Sequence, residues 1–197
     1  MQIWIHDKNM RKVCALNNNV LGMLPYSNSQ WHPYLEYATS TFDFTIPKIV
    51  NGKLHEDVKY IKDDMFVSFY YDNSYQVFYV SQLIENDTSF QVTCNNTNLE
   101  LAQEQSVALK SNGAQNIAWY LEHLEILGFT NLEIGVNEVS DKTRTLEFEP
   151  QETKLAQLHS LMSKFDAEFA FKTELNRDGT IKRFTIDIYQ MPDERNR

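Results

Sequence analysis

The sequence predicts an α+β protein, with a mostly antiparallel β-barrel or sandwich over residues 1–97 and a smaller α+β domain over residues 98–197. Three observations carry that division. From Ala38 to Ile46 the side chains alternate: Phe42, Phe44 and Ile46 fall on one side, Thr41, Asp43 and Thr45 on the other. That is the period-two signature of a strand with one buried and one wet face. About six short aromatic and β-branched runs, separated by turn signals, fill the first half of the chain. After Asn95-Asn96-Thr97-Asn98 the apolar spacing changes to that of two amphipathic helices.

Each element has its own local reason. Gln2 to His6 and Lys12 to Leu16 flank the polar Asp7-Lys8-Asn9, which reads as an N-terminal hairpin. Asn17 to His32 is rich in Asn and Ser and reads as a loop, with Pro25 and Trp31 inside it. Asn51-Gly52 is a tight-turn signal. Met65 to Tyr71 and Tyr75 to Ile84 form a second hairpin around Asp72-Asn73-Ser74, and Ser89 to Cys94 alternates again. Further on, Ile117, Tyr120, Leu121, Leu124 and Leu127 share a helical stripe that Gly128 is placed to cap. Asn131 to Val136 and Thr143 to Phe148 read as strands around Ser140-Asp141-Lys142. A second helix over Thr153 to Phe165 carries Leu155, Leu158, Met162 and Phe165 on one stripe. Glu168 to Leu175 and Ile181 to Tyr189 alternate and are joined by Asn176-Arg177-Asp178-Gly179. The end from Pro192 to Arg197 is polar and expected to be loose.

Composition limits what the chain does. Its 197 residues include 12 Phe, 10 Tyr and 3 Trp, enough apolar area for a proper core. A formal net charge of -9 disfavours a grip on nucleic acid, which is held chiefly by Lys and Arg on phosphates. The same charge suits a surface that nucleic acid passes without sticking. Cys14 and Cys94 have no metal-site or Cys-x-x-Cys spacing and read as buried free thiols. The chain opens without a leader pattern and holds no run of about 18 apolar residues. A soluble chain with no membrane anchor is therefore expected.

Sequence motifs for catalysis are lacking. The histidines, His6, His32, His55, His123 and His159, make no ligand pair. Glu147 with Glu149, and Asp63 with Asp64, read as solvated charge. No Gly-x-Ser-x-Gly elbow or phosphate loop occurs. Neither metal nor cofactor is expected. The aromatics are more suggestive: Tyr71, Tyr75, Val77 and Tyr79 are expected on neighbouring faces, with Phe66 and Tyr70 on the opposite side. Aromatic rings on both faces of a hairpin fit either a two-sided core or one face covered by a partner. Tyr71, Tyr75, Tyr79, Asp43 and Thr45 are the candidate interface residues.

Taken in order, several segments resemble the N-terminal half of the tail hub proteins of long-tailed phages and prophages of Gram-positive bacteria. Family members are often labelled tail-associated lysin, prophage tail endopeptidase or phage minor structural protein. The likeness runs through Ile3-Trp4-Ile5-His6-Asp7-Lys8-Asn9, Leu16-Asn17-Asn18, Leu24-Pro25-Tyr26 and Trp31-His32-Pro33-Tyr34-Leu35-Glu36. Its centre is Ser40-Thr41-Phe42-Asp43-Phe44-Thr45. It continues in Cys94-Asn95-Asn96-Thr97-Asn98-Leu99-Glu100-Leu101, Ser140 to Glu147, and Phe165-Asp166-Ala167-Glu168-Phe169. A Gly often found in the family before the Ser-Thr pair is replaced here by Ala38-Thr39.

The resemblance implies a homotrimeric ring at the virion tail tip, assembled in the host cytoplasm and docked on the distal tail protein. It is similar to the hub of contractile-tail baseplates, whose lumen passes DNA and the tape-measure protein. It also implies that this chain is an N-terminal fragment or an unusually short hub, with any wall-degrading module beyond Arg197. Two other readings accompany it. One is a peptidoglycan-degrading endopeptidase; the other is a module stacking Tyr71 and Tyr75 on host saccharides.

Overall fold

A computed structural model describes residues 1–34, 39–128, 131–150 and 152–192. Ala38, Leu35 and Glu36 of the family-like segments, and the end from Asp193 to Arg197, lie outside the described residues. The chain packs as two compact units. The first holds residues 1–34, 39–97 and Thr173–Lys182, and the second holds residues 98–172 and 183–192.

The first unit begins with the expected hairpin, β1 (Ile3–His6) and β2 (Lys12–Leu16). Asp7 organises its turn, one carboxylate oxygen accepting from the Asn9 and Arg11 N–H groups at 2.9 Å each. The segment read as a loop then contains a strand, β3 (Ser27–Tyr34), exposed everywhere except at Trp31. Alternation is absent because both sides of this edge strand are wet, and Pro33 is tolerated there because an edge strand has a side free of hydrogen bonds. β4 (Thr39–Pro47) follows the period-two expectation, with Phe42, Phe44 and Ile46 buried between half-exposed Thr41, Asp43 and Thr45. Asn51 and Gly52, at φ 52° and 75°, turn β5 (Ile49–Val50) into β6 (Lys53–Leu54). A 3-10 turn, Glu56–Tyr60, is capped by the His55 side chain. β7 (Phe66–Tyr71), β8 (Ser74–Glu85) and β9 (Ser89–Asn96) complete the sheet.

Seven strands hydrogen-bond in the order β2-β1-β7-β8-β9-β4-β3, each pair antiparallel. The sheet is strongly curled, as ring distances require. β3 lies four steps from β7, about 19 Å in a flat sheet at about 4.8 Å per step. Yet the Trp31 and Phe69 ring centroids are 5.5 Å apart. The barrel or sandwich expected from strand count is therefore a single curled sheet, whose edge strands β2 and β3 do not pair with each other. Its concave side holds Ile3, Ile5, Phe42, Phe69, Phe78 and Cys94 among a continuous buried cluster.

The second unit starts with a short helix that the sequence did not signal, α1 (Glu100–Gln103). β10 (Leu109–Lys110) and β11 (Gln115–Asn116) follow. α2 (Ile117–His123) is capped by Asn116, whose side chain accepts the Trp119 N–H. It ends a turn earlier than expected: Glu125, at φ 57°, takes the left-handed position assigned to Gly128, while Leu124 and Ile126 remain buried. β12 (Leu132–Asn137) does not pair with a single strand over Thr143 to Phe148. That segment splits into β13 (Thr143–Arg144), bonded to β11, and β14 (Glu147–Phe148), bonded to β10. α3 (Lys154–Lys164) is the second predicted helix, with Thr153 as its cap and Leu155, Leu158, Leu161 and Met162 buried. β15 (Ala167–Leu175) and β16 (Ile181–Gln190) follow, and β16 runs between β15 and a parallel β12. Among the described residues the fold is thus mostly antiparallel β with three α-helices.

A buried carboxylate holds the parallel junction. Asp187 accepts the Val136 N–H at 2.9 Å and the Tyr189 hydroxyl at 3.1 Å, and pairs with the Lys172 ammonium. Gly135 permits this approach, since a Cβ there would lie 2.0 Å from the Asp187 carboxylate oxygen. The register irregularity between Ile134 and Asn137 falls at the same place.

Two measurements check this account. Phe42→Ala removes a ring within about 5 Å of Phe44 and Phe69 and is expected to cost about 3–5 kcal/mol in urea unfolding. Thr45→Ala on the other face is expected to cost under about 1 kcal/mol. For Asp187, burial raises the carboxyl pKa, but Lys172, the Val136 N–H and Tyr189 outweigh it and leave the group below its ordinary range. Its stabilisation is therefore complete above the unfolded carboxyl pKa of about 3.9 and is lost as pH falls through the lower folded value. Asp187→Asn should lower stability at neutral pH by on the order of 1–3 kcal/mol and flatten the acid limb of the stability curve.

Candidate interaction surface of the curled sheet

Which aromatic rings share a face is decided by the turn between β7 and β8. Asp72 and Asn73 both have positive φ, 48° and 60°, and form a two-residue connection. Tyr71 therefore pairs with Ser74, and Tyr70 with Tyr75. The three-residue turn Asp72-Asn73-Ser74 read from sequence would have set Tyr71 opposite Tyr75, and a one-residue slip flips every side chain. This corrects the face assignment: Tyr75, Val77 and Tyr79 lie with Phe66 and Tyr70, and Tyr71 turns to the concave side. There its ring meets Trp31 edge-on, with centroids 4.8 Å apart.

The convex side gathers four of the five candidate interface residues. Tyr79 pairs with Asn95, whose amide donates to the Tyr79 hydroxyl at 3.3 Å. Asp43 and Thr45 pair with Thr93 and Gln91 on the same side. All four, Tyr75, Tyr79, Asp43 and Thr45, are half-buried. Tyr70, at 58 % exposure, is the most open ring of the group and contacts Tyr75 edge-on with centroids 5.0 Å apart. The Lys12 ammonium sits 4.6 Å from the Trp4 ring centroid and 5.4 Å from that of Tyr75. This face thus passes from aromatic on β7 and β8 to amide, hydroxyl and carboxylate on β9 and β4.

Part of the convex side is covered by the chain itself: Gly179 lies against His6, and at the hairpin end the buried Ser74 hydroxyl accepts the Thr173 N–H at 3.0 Å. Sequence reasoning missed this, because nothing in the alternation of β15 and β16 tells which strands their connecting turn will reach. Trp31 was also missed as a packing residue, since its strand lacks periodicity.

The remaining titratable groups are dispersed. His6 is buried, His55 caps the 3-10 turn, and His123 is stacked on Trp119 with centroids 3.9 Å apart. His32 is exposed, and His159 meets Phe169 edge-on at 4.9 Å. Glu147 pairs with Lys110 at 2.8 Å on the surface. Asp64 shares a shallow recess with Lys8, Lys62 and Tyr60. Among the described residues no three His, Cys, Asp or Glu side chains are grouped to hold a metal ion. Nor, among the described residues, is any helix long and apolar enough to cross a membrane.

Geometry of this kind defines a surface of rings, amides and hydroxyls carried on a curled antiparallel sheet. The same fold occurs in a solved structure, the prophage tail protein gp18 from Listeria monocytogenes EGD-e. The match has a TM-score of 0.55 at 12% sequence identity and covers 94% of this chain. The chain spans half the length of that protein, 50% being covered. No family model matches the sequence, and no curated protein matches it.

The two thiols offer a direct check on the packing. Burial is the main cause that pushes Cys14 up to about 12, and it raises Cys94 further. Because the thiolate is the reactive form, neither should react with a disulfide reagent at neutral pH in the native protein, and both should react within minutes in denaturant. Rapid native labelling would mean that this side of the sheet opens.

Proposed function

We propose that this chain is a structural component of a phage or prophage tail, and specifically the hub at the tail tip. Three copies form a ring on the distal tail protein, and DNA and the tape-measure protein pass through its lumen. The observation that carries this reading is the shared fold with a prophage tail protein over 94% of the chain. The ordered segments centred on Ser40 to Thr45 support it from the sequence side. A net charge of -9 suits a wall that DNA passes without being held. The role is assembly and passage, without turnover.

Light scattering and electron microscopy of the protein, alone and with the distal tail protein of the same phage, test the proposal. A trimer or ring that binds the distal tail protein is the expected result. A monomer at every concentration, with no binding to that protein, would overturn it. So would clearing of host cell wall in a zymogram, which would make the chain a peptidoglycan-degrading enzyme. Replacing Asp43 and Tyr75 together is expected to weaken ring formation at least about tenfold while leaving the thermal midpoint within a few degrees.

A further inference from the structure

His6 lies at the end of β1 and is fully buried, although Trp4 and Phe66 on the same side of the sheet are half-exposed. Its ring nitrogens are both engaged. The Met10 carbonyl, 3.0 Å from Nδ1, can only accept, so Nδ1 carries the proton. Nε2, 2.8 Å from Ser68 Oγ, then accepts from the hydroxyl in the neutral ring.

What covers His6 is the connection between β15 and β16. Gly179 is buried at φ 100°, so close that a Cβ would lie 2.7 Å from His6 Nδ1 and 2.7 Å from Lys12 Cγ. Beside it, the Asp178 carbonyl accepts the Lys12 N–H at 2.7 Å. At the other end of the segment the Thr173 N–H donates to Ser74 Oγ at 3.0 Å. Two hydrogen bonds and one glycine contact therefore seat residues 173–182 on the sheet. The charged groups around His6 are Lys12 on β2, Asp7 and Arg11 in the first turn, and Asp178 on the covering turn. Ser68, from β7, is uncharged.

We propose that the segment Thr173–Lys182 is a proton-released latch, docked on β1 and β2 while His6 is neutral and undocked when His6 gains a second proton. The imidazolium would be enclosed beneath Gly179 with the Lys12 ammonium nearby and no carboxylate in hydrogen-bonding contact. Undocking gives it water. Burial, aided by Lys12 and opposed by the Met10 carbonyl and Asp7, holds the docked His6 below the ordinary histidine range. The sign follows: the latch is fully closed above about pH 6.5, the value for a hydrated imidazole, and loosens as pH falls toward the docked value. The latch stands whatever the chain assembles with.

Amide hydrogen exchange on the intact protein tests it, because the Lys12 and Thr173 amides report the two docking bonds. Between about pH 7.5 and about pH 5, their protection factors, corrected for intrinsic rates, should fall at least about tenfold, while those of β4 amides hold. His6→Gln keeps a neutral donor and acceptor, and should retain protection at about pH 5. Gly179→Ala should lose it at both pH values. Unchanged protection in the wild-type chain across this range would overturn the proposal. So would the same pH dependence in His6→Gln, or loss throughout the sheet at one pH. If His6→Gln does not fold, an NMR titration of His6 in the wild-type protein decides: an ordinary histidine pKa overturns the latch, and a lowered one supports it.

Discussion

Phe42, Phe69 and Phe78 stand on β4, β7 and β8, and their mutual contact forces the sheet to bend. The Phe42 and Phe69 centroids are 5.0 Å apart although three strand-to-strand steps separate them, about 14 Å in a flat sheet. Phe78 closes the triangle, 5.6 Å from Phe42 and 5.5 Å from Phe69. A curled sheet can bury such rings on its concave side without a second sheet laid over it, because its own far strands supply the lid. That explains why a chain with six or so strands and a proper core did not become a sandwich. It also explains Trp31: on the edge strand β3, its ring reaches over the aromatic cluster, and the rest of that strand can remain polar.

The curl leaves the convex side to be settled by register. Two residues with positive φ, Asp72 and Asn73, fix the β7–β8 pairing and thereby collect Trp4, Phe66, Tyr70, Tyr75 and Tyr79 on one surface. Had the turn taken one more residue, Tyr71 would have joined them and Tyr70 would have entered the core. So the candidate interaction surface is a consequence of local turn chemistry. In the second unit a comparable local choice matters: Gly135 is the residue that lets the buried Asp187 carboxylate reach the Val136 N–H.

Elements with strong periodicity were legible in the sequence. β4 declared itself through Phe42, Phe44 and Ile46, and α3 through Leu155, Leu158 and Met162. The turn at Asn51-Gly52 was equally plain, since few other residue pairs accept positive φ twice. β3 was not legible, because an edge strand wet on both sides has no period to show. The end of α2 was misplaced because Glu125 took a left-handed conformation that favours glycine, and the sequence offered a Gly three residues later. The pairing of β13 and β14 with β11 and β10 depends on contacts distant in sequence, which no local pattern encodes. Of the candidate surface, the residue types could be read but their sides could not, since one turn of uncertain length controlled them all. Coverage by Thr173–Lys182 had no local signal at all.

An enzyme commonly betrays itself in sequence because chemistry needs particular groups at particular spacings. An assembly surface makes weaker demands: rings, amides and hydroxyls in a suitable relief, which many sequences satisfy. At 12% identity, this chain shares its fold with a prophage tail protein over 94% of its length. What shapes the backbone here is the bend around the phenylalanine triangle and the turns that fix register. The two buried polar centres fit the same logic. Asp187 is partnered on both oxygens and serves the backbone of β12 directly, so it belongs to the architecture. His6 is buried with both ring nitrogens engaged in its neutral form and no carboxylate bonded to it, so its charging is the pH-dependent condition proposed for one contact within the fold.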